Sequence, residues 1–66
     1  MKIFVNDDSV TIAEHSNISQ LLAQLTFPSK GIAIAIGHKI IPLSQWDNYL
    51  LKENDKVLLI RATQGG

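Results

Sequence analysis

The chain of 66 residues closes on Gly65-Gly66, and the group those two residues present is the terminal carboxylate. An α-carboxyl titrates at roughly 3.3 to 3.7, so it is ionised at neutral pH and is a poor electrophile until a good leaving group is attached. Glycine has no Cβ, so a di-glycine end can thread a channel too narrow for any other residue and take backbone angles closed to the rest. The chemistry on offer is therefore activation of Gly66 by another protein, with this chain as substrate and not as catalyst. Terminal glycines also occur as ordinary frayed ends, and a two-residue motif has a high false-positive rate. The rest of the sequence has to decide between the two.

The other candidates for chemistry are thinner. There are no cysteines, which removes disulfides, thiolate metal sites and a thiol nucleophile from this chain. Any sulfur it handles has to ride on something other than its own thiol. His15 and His38 fall in expected turns, without a third ligand at a sensible spacing, so solvated imidazoles are the reading and no metal is assigned. Asp7 and Asp8 are adjacent turn formers. Ser9, Ser16, Ser19 and Ser44 lack a nucleophile elbow or a His-Asp constellation. Gly31 and Gly37 are isolated, so no phosphate-cradling loop is present and ATP belongs on a partner. Trp46 reads as a packing residue at the rim of a small core.

Composition bounds the class. A chain of this length is one small domain that buries only about 60% of the surface its unfolded form exposes, which leaves no room for a deep cleft beside a core. The content is 45% hydrophobic and 18% charged, and six basic residues balance six acidic ones. That is a globular composition, and a net charge near zero argues against nucleic acid or an anionic membrane as partner. No apolar run is long enough to span a bilayer. Met1-Lys2-Ile3-Phe4 opens a strand and not a signal peptide, so the expectation is a complete cytoplasmic chain.

The elements that must carry the terminus follow from periodicity. Lys2 to Asn6 alternates Ile3 and Val5 against Lys2, Phe4 and Asn6, a strand with one face in the core. Asn6 to Ser9 is a turn cluster, and Val10 to Ala13 repeats the alternation, so the two strands read as a hairpin. Asn17 and Gln20 stand at capping-box spacing. Ile18, Leu21, Leu22 and Leu25 follow as one apolar stripe, which predicts an amphipathic helix from Ile18 to Leu25, ended by Phe27-Pro28 and Gly31. Ile32, Ile34 and Ile36 share a strand face whose reverse carries only Ala33 and Ala35, a surface against which something can pack closely. Gly37-His38 turns the chain into Lys39-Ile40-Ile41, and Pro42 stops that strand. A short helical turn is expected from Ser44, carrying Trp46 and then Tyr49-Leu50 against the core edge. Lys52 to Asp55 is a further turn in which Asn54 best tolerates positive φ. The final strand runs from Lys56 to Ala62.

Two strands, a helix, a strand pair and a returning last strand make an α+β fold. The last strand pairs parallel with the first after the long crossover. This is the ubiquitin-like β-grasp roll, a mixed sheet of four to five strands packed on one main helix, with residues 1–62 as the domain and 63–66 as a flexible di-glycine tail. Met1 to Val5 looks like the opening of ubiquitin, and Gly65-Gly66 resembles its tail. A closer likeness runs through Ile34-Ala35-Ile36-Gly37-His38-Lys39-Ile40-Ile41-Pro42, Trp46, Asn54-Asp55-Lys56-Val57 and Ala62-Thr63-Gln64-Gly65-Gly66. These stretches resemble the small sulfur carrier proteins of thiamine thiazole biosynthesis, the ThiS family, over nearly the whole chain. The family often has a basic residue after the proline and Gly-Asp at the last turn, where this chain has Leu43 and Asn54-Asp55.

The resemblance implies an E1-like adenylating enzyme that uses ATP and magnesium to adenylate Gly66. A sulfur donor, a cysteine desulfurase or persulfide protein, would then convert the terminus to a thiocarboxylate, and a thiazole synthase would consume the sulfur. No cofactor is expected on the carrier itself. Thr63, Gln64 and Gly65 would thread into the partner, with a reach of roughly 13 Å at about 3.3 Å per residue. On the residue pattern, Phe4, Leu58 and Ile60 fall opposite the core-facing Ile3, Val5, Val57 and Leu59, and three large apolar groups on an open sheet face suggest a docking patch. Scattered surface hydrophobes are the ordinary alternative. Other functions compatible with the same reading are the sulfur carrier subunit of molybdopterin synthase, a ubiquitin-like modifier of lysines, and a binding module whose glycines are incidental.

Overall fold

The computed structural model describes residues 1–27 and 30–61. The strands are β1 (Lys2–Val5), β2 (Asp8–Thr11), β3 (Ile32–Ile36), β4 (Lys39–Ile41) and β5 (Lys56–Arg61), with one α-helix, α1 (Ile18–Gln24), and a 3₁₀ turn at Leu43–Gln45. The sheet order is β2-β1-β5-β3-β4. Its one parallel pairing, β1 with β5, lies at the centre, and the other pairings are antiparallel. This is the β-grasp arrangement expected from the sequence, with five strands. Among the described residues no helix is long and apolar enough to cross a membrane.

Alternation along the strands decides what is buried. Ile3 and Val5 from β1, Ile34 and Ile36 from β3, and Val57 and Leu59 from β5 join Ile18, Leu21 and Leu22 of α1 in one core. Each fully buried aliphatic side chain contributes roughly 1.5–3 kcal/mol relative to exposure, so residues such as Ile3, Ile18, Leu21 and Ile34, all 0% exposed, dominate stability. The helix starts where the spacing places it. The Asn17 side chain accepts from the Gln20 N–H at 2.7 Å, and the Gln20 side chain accepts from the Asn17 N–H at 2.8 Å. This reciprocal box satisfies two donors that a helix start leaves without partners.

Three local expectations change. The first hairpin turn is Asn6-Asp7 alone, and the second strand begins at Asp8, not Val10, because Val5 pairs directly with Asp8. Asn6 and Asp7 take φ of 50° and 73°. Two successive left-handed residues give the tight turn whose twist matches that of the strands it joins, so Ser9 stays in the ladder. The helix, in turn, ends at its own last turn, before Phe27-Pro28. Leu25 caps it, Thr26 takes φ 60°, and the N–H groups of Thr26 and Phe27 donate to the carbonyls of Ala23 and Leu22. That bond pair is the Schellman closure, with threonine where glycine is usual.

The third change follows β4. The 3₁₀ turn starts at Leu43 on Pro42, not at Ser44. Trp46 is buried as expected, and its indole N–H donates to the Ile41 carbonyl at 2.9 Å. Leu50, however, is 53% exposed, while Leu51 enters the core. The chain there is extended: Leu50 bridges Asn17, and the Leu51 N–H donates to the Ser16 carbonyl at 2.8 Å. Neighbouring residues of an extended segment point to opposite sides, so only one of the two leucines can be inside. Asn54 takes φ 68° in the last turn, as its side chain suggested.

Candidate docking face and the strand leading to the terminus

β5 leads to the terminus and is held on both sides. Along one edge its residues Val57 to Arg61 pair with β3. Along the other, β1 ends at Val5, and Asn6 continues the ladder with its side chain. Asn6 Nδ2 donates to the Leu59 carbonyl at 3.2 Å, and its Oδ1 accepts from the Leu59 N–H at 2.9 Å, while the Asn6 N–H donates to the Val57 carbonyl at 3.0 Å. An amide side chain carries the donor and acceptor of a peptide group. Asn6 therefore acts as one more strand residue at the point where the hairpin turns away. This clamp was not anticipated, although an asparagine at a positive-φ turn directly after a core strand is the sequence signal for it.

Phe4, Leu58 and Ile60 lie on the face of the sheet opposite α1. Leu58 is 49% and Ile60 is 43% exposed, and Phe4 is half-buried. Register adds a residue that the sequence reading missed. Ala35 pairs with Leu58 on one side and with Ile40 on the other, and Ala33 pairs with Ile60. Ile40 therefore stands on the same face, 61% exposed, across the buried Ala35. The small Ala33 and Ala35 side chains form the floor between β4 and β5. The signal was the Gly37-His38 turn, since a two-residue loop between Ile36 and Lys39 forces Ala35 opposite Ile40.

Two lysines flank this face. Lys2 Nζ lies 5.4 Å from the centroid of the Phe4 ring, and Lys56 is Phe4's register partner on β5. A shallow hollow of about 130 Å³ opens beside them, between Phe4, Asp7, Lys56, Leu58 and Gly37. At the end of β5, the Arg61 guanidinium lies 5.2 Å from the Phe27 ring centroid, within cation–π range. Residues 62–66 lie outside the described residues. The expectations for Thr63, Gln64, Gly65 and Gly66, and for where the domain gives way to a tail, therefore concern residues beyond Arg61.

The remaining sequence candidates are dispersed. His15 and His38 are exposed in separate turns. Ser16 is buried, and its hydroxyl donates to the Ala13 carbonyl at 2.7 Å. The Ser19 hydroxyl donates to the Asp47 carboxylate, and Asn17 Nδ2 donates to the Asp47 carbonyl, which ties the segment after Trp46 to the start of α1. Ser16, Ser19, Asn17 and Asp47 thus have structural tasks.

The comparisons with known proteins agree with this architecture. A family model described as "ThiS family" matches residues 2–66. The sulfur carrier protein ThiS of Escherichia coli (strain K12) is 33% identical over 66 residues, spanning 100% of both chains. Two solved structures from Geobacter metallireducens are similar in fold. The crystal structure of its thiamine biosynthesis protein (ThiS) has a TM-score of 0.84 at 23% identity, with 100% of each chain covered. The solution structure of a thiamine biosynthesis protein has a TM-score of 0.80 at 23% identity, covering 100% of this chain and 88% of that one. With a family model matching all but its first residue and a full-length relative at one-third identity, the chain belongs to the ThiS family.

Proposed function

We propose that this protein is a sulfur carrier for thiazole formation in thiamine biosynthesis, working through the carboxylate of Gly66. The observation that carries this reading is the full-length identity of 33% to a protein named as a sulfur carrier, in a chain that ends in Gly65-Gly66. Gly66 is a substrate and the protein a carrier, with catalysis supplied by its partners in the cytoplasm.

The carboxylate attacks the α-phosphorus of ATP on an E1-like enzyme that holds the magnesium, expelling pyrophosphate and leaving an acyl adenylate. The carbonyl carbon of that adenylate is a competent electrophile, because AMP is a good leaving group. A persulfide on a cysteine desulfurase or other persulfide protein attacks the carbon and expels AMP. A thiol then attacks the donor cysteine's sulfur and cleaves the S–S bond brought by the persulfide, forming a disulfide with that cysteine and releasing Gly66 as a thiocarboxylate. Delivery of that sulfur to a thiazole synthase returns the carboxylate. Gly65 gives the steric clearance that a narrow channel needs, and Thr63 and Gln64 pair through their backbones with the walls of the partner site.

Partners dock on the outer sheet face. Leu58, Ile60 and Phe4, extended by Ile40, supply the desolvated centre, and Lys2 and Lys56 supply a basic rim that selects acidic counterparts.

Intact mass spectrometry of the protein after incubation with ATP, magnesium, a persulfide donor and the adenylating enzyme tests the covalent step. A gain of about 16 Da that fragmentation places on Gly66, one oxygen replaced by sulfur, is the expected result. An unchanged mass with an enzyme active on another carrier overturns it. Isopeptide adducts on lysines would instead support a protein modifier, and a stable complex with a molybdopterin synthase partner would move the carrier to that pathway.

A further inference from the structure

The sheet face that carries α1 is not closed at its β2 edge. Val5, Val10, Leu25, Phe27 and Leu59 wall a cavity of about 190 Å³, with the exposed Asp8 at its margin. β2 is the end strand of the sheet. Its backbone direction follows from the hairpin. Met1 and Ile12 exchange both backbone bonds, at 2.9 and 2.7 Å. In an antiparallel ladder such pairs alternate with open ones, so Asp8 and Val10 aim their peptide groups at β1, and Ser9 and Thr11 aim theirs outward. Gln24 Nε2 donates to the Thr11 carbonyl at 2.9 Å, which leaves the N–H and C=O of Ser9 and the N–H of Thr11 facing out beside the cavity.

We propose that this edge and cavity together form a docking groove for an extended apolar segment of another protein, with a basic residue at the end lying against Asp8. A strand laid along Ser9 and Thr11 pairs with their outward groups and directs alternate side chains over Val10 into the cavity. Charge selects the occupant. From Asn6 to Glu14 the chain holds Asp7, Asp8 and Glu14 with no lysine or arginine. Glu14 lies 3.8 Å from the Met1 amine, the one ion pair among the described residues, and Asp7 lines the hollow beside Lys56 on the outer face, so Asp8 is the carboxylate left at the cavity. A second copy of the chain would bring another acidic edge against them. A small apolar ligand would fill the cavity and leave the edge and the Asp8 carboxylate unused.

The groove and the outer face use opposite sides of one strand, since Leu59 lines the cavity while Leu58 and Ile60 point away from it. Their nearest charges also differ: Asp8 borders the cavity, and Lys2 and Lys56 flank Phe4. If the carrier reading holds, a groove partner stays bound while enzymes exchange on the other face.

The test is titration of the isotopically labelled full chain with the end-blocked peptide Lys-Val-Thr-Val-Thr-Val-Lys, with the Glu-flanked version as control. The expected result is saturable amide shifts at Ser9, Thr11, Leu25 and Phe27, none at Leu58 or Ile60, and weakening with added salt. Ser9→Pro removes an outward N–H without touching the β1 ladder, and Asp8→Asn removes the charge. Each should weaken binding roughly tenfold. Asp8→Asn keeps the test decisive if the proline variant fails to fold. Equal binding of the Glu-flanked peptide, shifts centred on Leu58 and Ile60, shifts that grow with protein concentration without peptide, or no saturable binding would each overturn the proposal. No step of the titration depends on Gly66, so its outcome is separate from that of the mass measurement.

Discussion

At the scale of single residues, Asn6 has the largest gap between its modest sequence context and what it does. Its side chain replaces a strand residue against Leu59 while its backbone holds φ 50° at the turn. Asn6→Gly keeps the turn accessible and removes both side-chain bonds, and should cost about 1–2 kcal/mol. Asn6→Ala adds the left-handed penalty of a residue with a Cβ, roughly 1–2 kcal/mol more. Chemical denaturation of the two variants checks this: a glycine variant as stable as the parent would mean that the bonds to Leu59 contribute nothing. Gly66 makes the contrasting case. Its deletion should abolish sulfur loading and leave the thermal midpoint almost unchanged, as measured by intact mass and calorimetry. A large drop in the midpoint would mean that the terminus is packed structure.

At the scale of elements, α1 shows a local compromise. Its start is fully specified by Asn17 and Gln20, but its closing residue, Thr26, is β-branched and sits at φ 60°, where such residues are genuine outliers. Thr26→Gly should therefore stabilise the protein by about 1 kcal/mol. For a domain this small, that raises the midpoint by roughly 4–8 °C. A lower midpoint on calorimetry would show that the Thr26 side chain does more than the strain costs. The outer sheet face is the second element-level test. Replacing both Leu58 and Ile60 by serine leaves the core-facing Val57 and Leu59 in place, so folding should persist. Association with the adenylating enzyme and thiazole synthase should fall at least tenfold, since centrally placed apolar anchors carry most of an interface's energy. Intact association and loading would rule out this face as the docking surface.

At the scale of the whole molecule, β5 organises the protein. It lies at the sheet centre between β1 and β3, contributes Val57 and Leu59 to the core, presents Leu58 and Ile60 on the opposite face, and leads to residues 62–66. A carrier whose terminus is worked on by other proteins benefits from such a mount, because the last described strand is fixed on both edges. Ile34, fully buried on the neighbouring β3, tests how far stability rests on this layer. Ile34→Ala should cost about 2–5 kcal/mol by transfer and cavity terms. In a chain of this size that is a large share of a marginal total. A loss below 1 kcal/mol in denaturant titration would show that the core relaxes around the deletion.

Local spacing was enough to place the helix start, the alternating faces of the strands and the positive φ at Asn54. Each rests on a few neighbouring residues and on rules that hold within a turn or a strand. Fold class was legible for the same reason, since the order of elements and the length of the crossover leave few ways to pair the last strand. What tertiary structure decided involves partners far apart in sequence. Register between β3 and β4 brought Ile40 onto the outer sheet face beside Leu58, and a bridge from Asn17 to Leu50 turned Leu50 outward and Leu51 into the core. The clamp of Asn6 on Leu59 and the groove between β2 and the end of α1 exist only once the sheet is assembled. One-residue differences in register exchange inside for outside, and no local propensity fixes them before long-range pairing does.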